Sequence, residues 1–220
     1  AIRCERCDEL VNPQIIAKIN EKSIKLSTAK CTYNGKTRTP SVTVKDANGV
    51  ALEEGRDFTV KYPSGRKAVG EYKITVTFKG NYEGKKTLIF TIAPAKTAKI
   101  TATSSQKEYV KISWAAVEGA TGYRVYRSEI VDGKWTSWKT MGTAKSTASS
   151  WVDRNAVSGT TYRYTVRAVN GLCKSAYKAS ASLVFLAQPT VTISNAASGI
   201  TVKWTKSAGA AEYKIYRQTK

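Results

Sequence analysis

The residue types that most often do chemistry are thinly supplied in this chain of 220 residues. It contains no histidine. The commonest general base is therefore missing, and neither a Ser-His-Asp nor a Cys-His arrangement can form. A carboxylate pair could still cleave a glycosidic bond. The only acidic cluster, Glu53-Glu54 with Asp57 beside Arg56, falls in an expected turn and reads as a solvated loop. No Gly-rich phosphate loop leads into a helix, and no dinucleotide fingerprint is present. Cys4 and Cys7 have the spacing of half a zinc knuckle or of a redox motif. Neither completes itself, because Cys31 and Cys173 stand alone in separate expected modules and no βαβ context surrounds the pair. Three readings of Cys4 and Cys7 stay open: the tail of an upstream element, a structural disulfide (with Cys31, for example), or a metal site. The expectation is a chain that is not an enzyme, with no catalytic, cofactor-binding or metal residue assigned.

Aromatic and basic residues are better supplied. Trp114 and Trp204 are core residues by alternation, and Trp151, in SSWVD, takes an apolar strand position. Trp135 and Trp138, in DGKWTSWKTM, are three apart. On a continuous strand that spacing sends them to opposite faces, so at most one is buried. An exposed tryptophan beside Lys134 or Lys139 could stack on a sugar ring or take a cation.

Lys and Arg number 36 against 16 Asp and Glu, a formal net charge of +20. The excess runs along the whole chain without a concentrated tail. A surface of that sign draws in polyanions such as nucleic acid, wall teichoic acids, sulfated or sialylated glycans and anionic lipid head groups. It also serves simply as a solubilising coat. No recognition helix, zinc finger or RNA-binding signature accompanies the charge, so sequence-specific nucleic-acid binding is not expected.

These residues sit on short strands. Val110, Ile112 and Trp114 alternate with polar neighbours, and Tyr123 and Val125 alternate with Arg124 and Tyr126 across a small-residue turn. A period of two buries one face and wets the other. The design returns as ITVKWTKSAGAAEYKIYR: Trp114 and Tyr123 are nine residues apart, as are Trp204 and Tyr213, 90 residues further on. A repeat of that length is one small β-sandwich per copy. Earlier, Val42 and Val44 precede a DANG turn, and Phe58, Val60 and Tyr62 form an apolar face. Tyr72, Ile74, Val76 and Phe78 form another, and Leu88, Phe90 and Ile92 close the set after a turn at Gly80–Gly84. Facing apolar sides of short sheets make a sandwich. Pro94 and Pro189 mark linkers. The expected divisions are 1–22, an N-terminal segment; 23–94, a first sandwich; 95–186, a second; and 187–220, an incomplete third with strands A to C. No targeting segment opens the chain and no apolar run of about 18 residues crosses a membrane. Both ends read as cut from something longer.

Residues 23–94 resemble the immunoglobulin-like modules found in tandem on surface proteins of Gram-positive anaerobes. The likeness is carried by Tyr33-Asn34-Gly35 with Pro40, GRDFTVKY at 55–62, VGEYKITVTFKGNYEG at 69–84 and FTI at 90–92. Residues 97–186 resemble a bacterial fibronectin type III module, through Trp114, Tyr123 and SGTTYRYTVRAVNG at 158–171. The resemblance implies that Tyr162 forms a tyrosine corner. It implies that Tyr162, Tyr164, Val166 and Ala168 face the core while Arg163, Thr165, Arg167 and Val169 face solvent. Ala156 stands where the family usually has Leu, implying a looser corner there, and Asn155 replaces a common Gly.

If the strands bearing Tyr123 and Tyr162 are neighbours, as that family implies, Arg124, Tyr126, Arg163 and Arg167 form a basic patch whose forks suit sulfate, phosphate or carboxylate. With Trp135 and Trp138 these are the candidate ligand-binding residues. The fold class expected is all-β, tandem β-sandwich modules: bacterial Ig-like, then fibronectin type III, the last incomplete. The function expected is a non-catalytic adhesion or spacer segment of an extracellular, cell-surface or secreted bacterial protein. Two alternatives stay open: a module binding anionic glycans or cell-wall polymers, or accessory modules of a secreted polysaccharide-degrading enzyme. The partners expected are such glycans or polymers, or a host surface protein, without membrane insertion.

Overall fold

The computed structural model describes residues 19–104 and 108–218, and the backbone of residues 2, 3, 10 and 11. Cys4 and Cys7 lie outside them. Two compact units are present, Ala1–Ala93 with Gly171–Cys173, and Pro94–Asn170 with Lys174–Lys220. Both are built from strands, as the period-two patterning requires. Among the described residues no helix is long and apolar enough to cross a membrane.

The first unit holds β1 (Ile2–Arg3), β2 (Leu10–Val11), β3 (Lys25–Leu26), β4 (Lys30–Thr32), β5 (Val42–Thr43), β6 (Phe58–Lys61), β7 (Gly70–Phe78) and β8 (Lys85–Ala93). β4, β8, β7 and β6 form one sheet, in that order, with β4 parallel to β8. β3 and β5 pair separately. The core is filled by the alternating residues: Val42 and Val44 from one side, and Phe58, Ile74, Val76, Phe78, Phe90 and Ile92 from the other. Asp46 is buried in the DANG turn, where its carboxylate accepts from the backbone N–H of Asn48 (2.9 Å) and Val50 (2.8 Å). That satisfies a group that would otherwise be costly to bury.

From Pro94 onward the chain holds β9 (Thr101–Ser104), β10 (Val110–Ser113), β11 (Gly122–Val131), β12 (Lys134–Trp135), β13 (Lys139–Lys145), β14 (Ser150–Asp153), β15 (Thr161–Asn170), β16 (Cys173–Lys174), β17 (Leu183–Val184), β18 (Val191–Ala196) and β19 (Gly199–Trp204). β14, β10 and β9 make a three-stranded sheet. A larger sheet runs β12-β11-β15-β16, with β13 also on β11 and β17 also on β15. Val110, Ile112 and Trp114 meet Tyr123, Val125, Tyr162, Tyr164, Val166 and Ala168 between the sheets. Tyr162 makes the expected corner, its hydroxyl oxygen accepting from the Val157 N–H at 3.0 Å. Ala156 and Trp151 pack partly buried against this core.

Three features differ from the expectations. Thr165, assigned to solvent, is buried, because the segment after β16 folds over it and its hydroxyl donates to the Lys178 carbonyl at 2.9 Å. β18 and β19 pair as expected for the start of the third repeat, but the stretch around Tyr213 is not a strand. A strand exists only by its ladder, and no partner strand stands beside Tyr213 among the described residues. The third difference concerns the tryptophans.

Candidate functional site

The candidate site is the outward face of the larger sheet in the second unit. β11 and β15 are antiparallel, with Arg124 opposite Arg167, Tyr126 opposite Thr165 and Ser128 opposite Arg163. Directly opposed residues share a face. Arg124, Tyr126, Arg163 and Arg167 therefore lie on one side, as the patch required. None of the outward-facing positions of β11 and β15 is acidic, and β13 contains no acid.

Trp135 and Trp138 join the same face. Trp135 is opposite Ile130 in the β11–β12 pairing, which puts it on the outward parity. The strand then stops. Thr136 holds the break: its N–H donates to the Glu129 carbonyl (2.9 Å), its carbonyl accepts from the Ser128 hydroxyl (2.8 Å), and its hydroxyl oxygen accepts from the Glu129 N–H (3.1 Å). Alternation does not survive that kink. Both rings contact one guanidinium, the Arg163 carbon lying 4.3 Å from the Trp135 ring centre and 5.0 Å from that of Trp138. The expectation of opposite faces is thereby corrected, and the cation taken is the chain's own arginine.

The stack continues. Trp138 meets Tyr177 edge-on, ring centres 5.8 Å apart. Tyr126, Trp138, Thr165, Arg167 and Tyr177 line a shallow recess of about 70 Å³ with no carboxylate in its wall. Arg163 is steadied by Nε donating to the Ser128 hydroxyl (3.3 Å), and Arg167 by Nε donating to the Ser175 carbonyl (2.8 Å). Each bond occupies one donor and leaves the rest of the fork. Five of the six candidate residues thus converge, and Arg124 adjoins them across the ladder. Tyr177, half exposed on the loop after β16, was missed; its one signal is an aromatic in an otherwise small and polar stretch.

The inner face carries a second polar constellation that alternation alone did not disclose. Arg127 follows Tyr123 and Val125 at the spacing of two, so it turns inward, and it is buried. Its Nη1 donates to Asp153 Oδ2 at 2.9 Å, and its guanidinium lies 4.7 Å from the Tyr162 ring centre. Tyr164 donates its hydroxyl to the same Asp153 oxygen at 2.9 Å, and the Asn155 N–H donates to the other at 3.0 Å. Burial pushes the Tyr164 phenol far above its ordinary range, and the Asp153 charge adds to this. Burial works against the Arg127 charge, yet Asp153 holds the guanidinium's pKa above its usual value. The group ties β14 of one sheet to β11 and β15 of the other. Buried and bonded to one another across the two sheets, these groups serve as a structural clasp.

Among the described residues no group of three or more acidic or sulfur-bearing side chains could hold a metal ion, and Cys31 and Cys173 are free thiols.

Neither a protein-family model nor a curated protein matches the chain. Among solved structures it is similar to an Fn3-like protein from Clostridium thermocellum, at 32% identity over 40% of this chain and 93% of that one, with a TM-score of 0.32. It is also similar to a two-domain fibronectin type III segment from chicken tenascin, at 16% identity over 73% of this chain and 97% of that one, with a TM-score of 0.44.

Proposed function

We propose that this chain is a non-catalytic segment of a bacterial cell-surface or secreted multimodular protein, an Ig-like module followed by fibronectin type III modules that space and present binding faces. The observation that carries the reading is the joint between consecutive repeats inside the second unit. Ser158 donates its hydroxyl to the Ala208 carbonyl (2.8 Å) and accepts from the Ala187 N–H (3.0 Å). Ser207, buried, donates to the Ala187 carbonyl at 2.7 Å. Gly159 and Gly209, both at positive φ, stand back to back; a Cβ on Gly209 would lie 2.4 Å from the Gly159 Cα. A flexible tether needs none of this. A spacer does, because a joint that holds its angle transmits position from one module to the next. The absence of histidine supports the non-catalytic part of the reading.

The test is the rotational motion of the intact chain by backbone ¹⁵N relaxation. Residues 97–186 and 190–218 are expected to tumble with one correlation time, and Gly209→Ala to separate them. Independent tumbling in the unaltered chain removes the spacer reading.

A further inference from the structure

We infer that the outward face of β11 and β15 binds acidic sugar chains of the polyuronate class, one uronate residue at a time. The inference deepens the reading of a presenting module and rests on it. Four observations meet here. Arg124 and Arg167 are directly opposed across the ladder. Like charges so placed repel, and no outward-facing position of β11 or β15 carries a carboxylate to relieve them. An anion seated between them does.

Arg163 lies against both tryptophan rings, and its Nε is bonded to the Ser128 hydroxyl. Two ring contacts and that bond restrict the guanidinium before a ligand arrives. That removes much of the ordering cost of a surface arginine. A planar carboxylate fits such forks with two parallel bonds.

The face is also aromatic in a way that simple charge attraction does not need. Trp135, against Arg163, is 36% exposed, and Tyr177, against Trp138, is 55% exposed. Flat apolar rings beside charged forks match the two sides of a uronic acid: a pyranose face of C–H bonds and a carboxylate at its rim. Finally, the shallow recess of about 70 Å³ admits a carboxyl-sized group. Polymer binding then follows from repetition, weak contacts summing along the polysaccharide.

Titration calorimetry of the whole chain with an oligogalacturonate tests this, with the methyl-esterified oligosaccharide, dextran sulfate and poly(U) as comparisons. Binding is expected with the oligogalacturonate and is lost on esterification. Trp135→Ala and Arg167→Lys are each expected to weaken it by about tenfold or more, the latter because an ammonium keeps the charge but not the fork. Lys111→Gln, an exposed lysine on β10, is expected to change it less than twofold or so, since it removes one distant charge. Circular dichroism confirms that each variant is folded, and Arg167→Lys keeps the test alive if Trp135→Ala is not. Binding unaffected by both Trp135→Ala and Arg167→Lys, or equal for dextran sulfate, overturns the inference in favour of diffuse charge. Tighter binding of poly(U) than of the oligogalacturonate overturns it in favour of nucleic acid, and no binding overturns it outright. A chain that tumbles rigidly yet ignores the uronate fails on the ligand alone, which separates this result from failure of the spacer reading.

Discussion

Two stretches of this chain carry the same local instructions in different surroundings. Residues 110–127 and 200–217 align without a gap: Trp114 with Trp204, Val117 with Ser207, Gly119 with Gly209, Tyr123 with Tyr213 and Arg127 with Arg217. Around the turn they fold alike, although Tyr123 lies on a strand and Tyr213 does not. The tryptophan and tyrosine rings stand 5.2 Å apart in the first and 5.5 Å in the second. The tyrosine oxygen accepts from the backbone N–H of Val117 at 2.9 Å and of Ser207 at 2.6 Å. Both turns take a glycine at positive φ, and in both the N–H of the next alanine returns to the carbonyl of residue 117 or 207. Their burial is opposite. Trp114 is 5% exposed and Trp204 38%; Tyr123 is 1% exposed and Tyr213 37%. Nine residues and a glycine turn suffice for the ring pair and its hydrogen bond. Only partner strands supply the burial that makes the unit stabilising.

The largest expected difference between the copies comes from the tryptophans. Trp114→Ala should cost about 3–5 kcal/mol, because a cavity opens between two sheets. Trp204→Ala, with a third of its surface already wet, should cost no more than about half of that. Chemical denaturation of each variant checks this, and equal losses would break the contrast.

The arginines come next. Truncating Arg127→Ala strands a fully buried Asp153 carboxylate, at about 3–5 kcal/mol. Arg217 is exposed, so Arg217→Ala should stay within about 0.5 kcal/mol. A pair of similar melting shifts would show that Asp153 finds another counter-charge.

Removing only the hydroxyl is subtler. Tyr123→Phe leaves a Val117 N–H without its acceptor beside the core, for about 1–2 kcal/mol, whereas water can replace the lost acceptor in Tyr213→Phe. Double-mutant cycles with the two tryptophans would sharpen the comparison by showing how far ring contact and hydrogen bond depend on each other.

The smallest effect near neutral pH, growing with alkalinity, is on the first copy's clasp. The folded state holds the Tyr164 proton to a higher pH than the unfolded chain does. Its contribution is therefore complete below the unfolded tyrosine pKa of about 10 and declines as pH rises above it. Stability measured from pH 8 to 11 should fall at the upper end, and Tyr164→Phe should flatten that fall. An unchanged slope in the variant would assign the loss to other groups.

The contrast also marks what could be read without coordinates. Strand patterning, the core faces around Val76 and Phe90 and the repeated ring pair follow from period-two alternation and local turns, which depend on neighbours in the chain, whereas the tyrosine corner and the inward face of Tyr164 and Val166 came from the resemblance to fibronectin type III modules. The shared face of Arg124, Tyr126, Arg163 and Arg167 was legible once β11 and β15 were taken as neighbours. The placement of both tryptophans on that face was not. A single break at Thr136, held by bonds to Ser128 and Glu129, resets the alternation, and no spacing rule announces it.

Amino-acid order by itself determined which residues are apolar at which period, and therefore which stretches can be strands, which of their faces turn inward, and the turn geometry at Gly119 and Gly209. Tertiary structure alone decided that Thr165 is covered, that Arg127 meets Asp153 from another sheet, that Trp135 and Trp138 close on Arg163, and that Trp204 stays wet where Trp114 is dry. The physical reason is range. Backbone dihedrals and side-chain parity act over a few residues, whereas burial and charge pairing depend on segments that are distant in sequence.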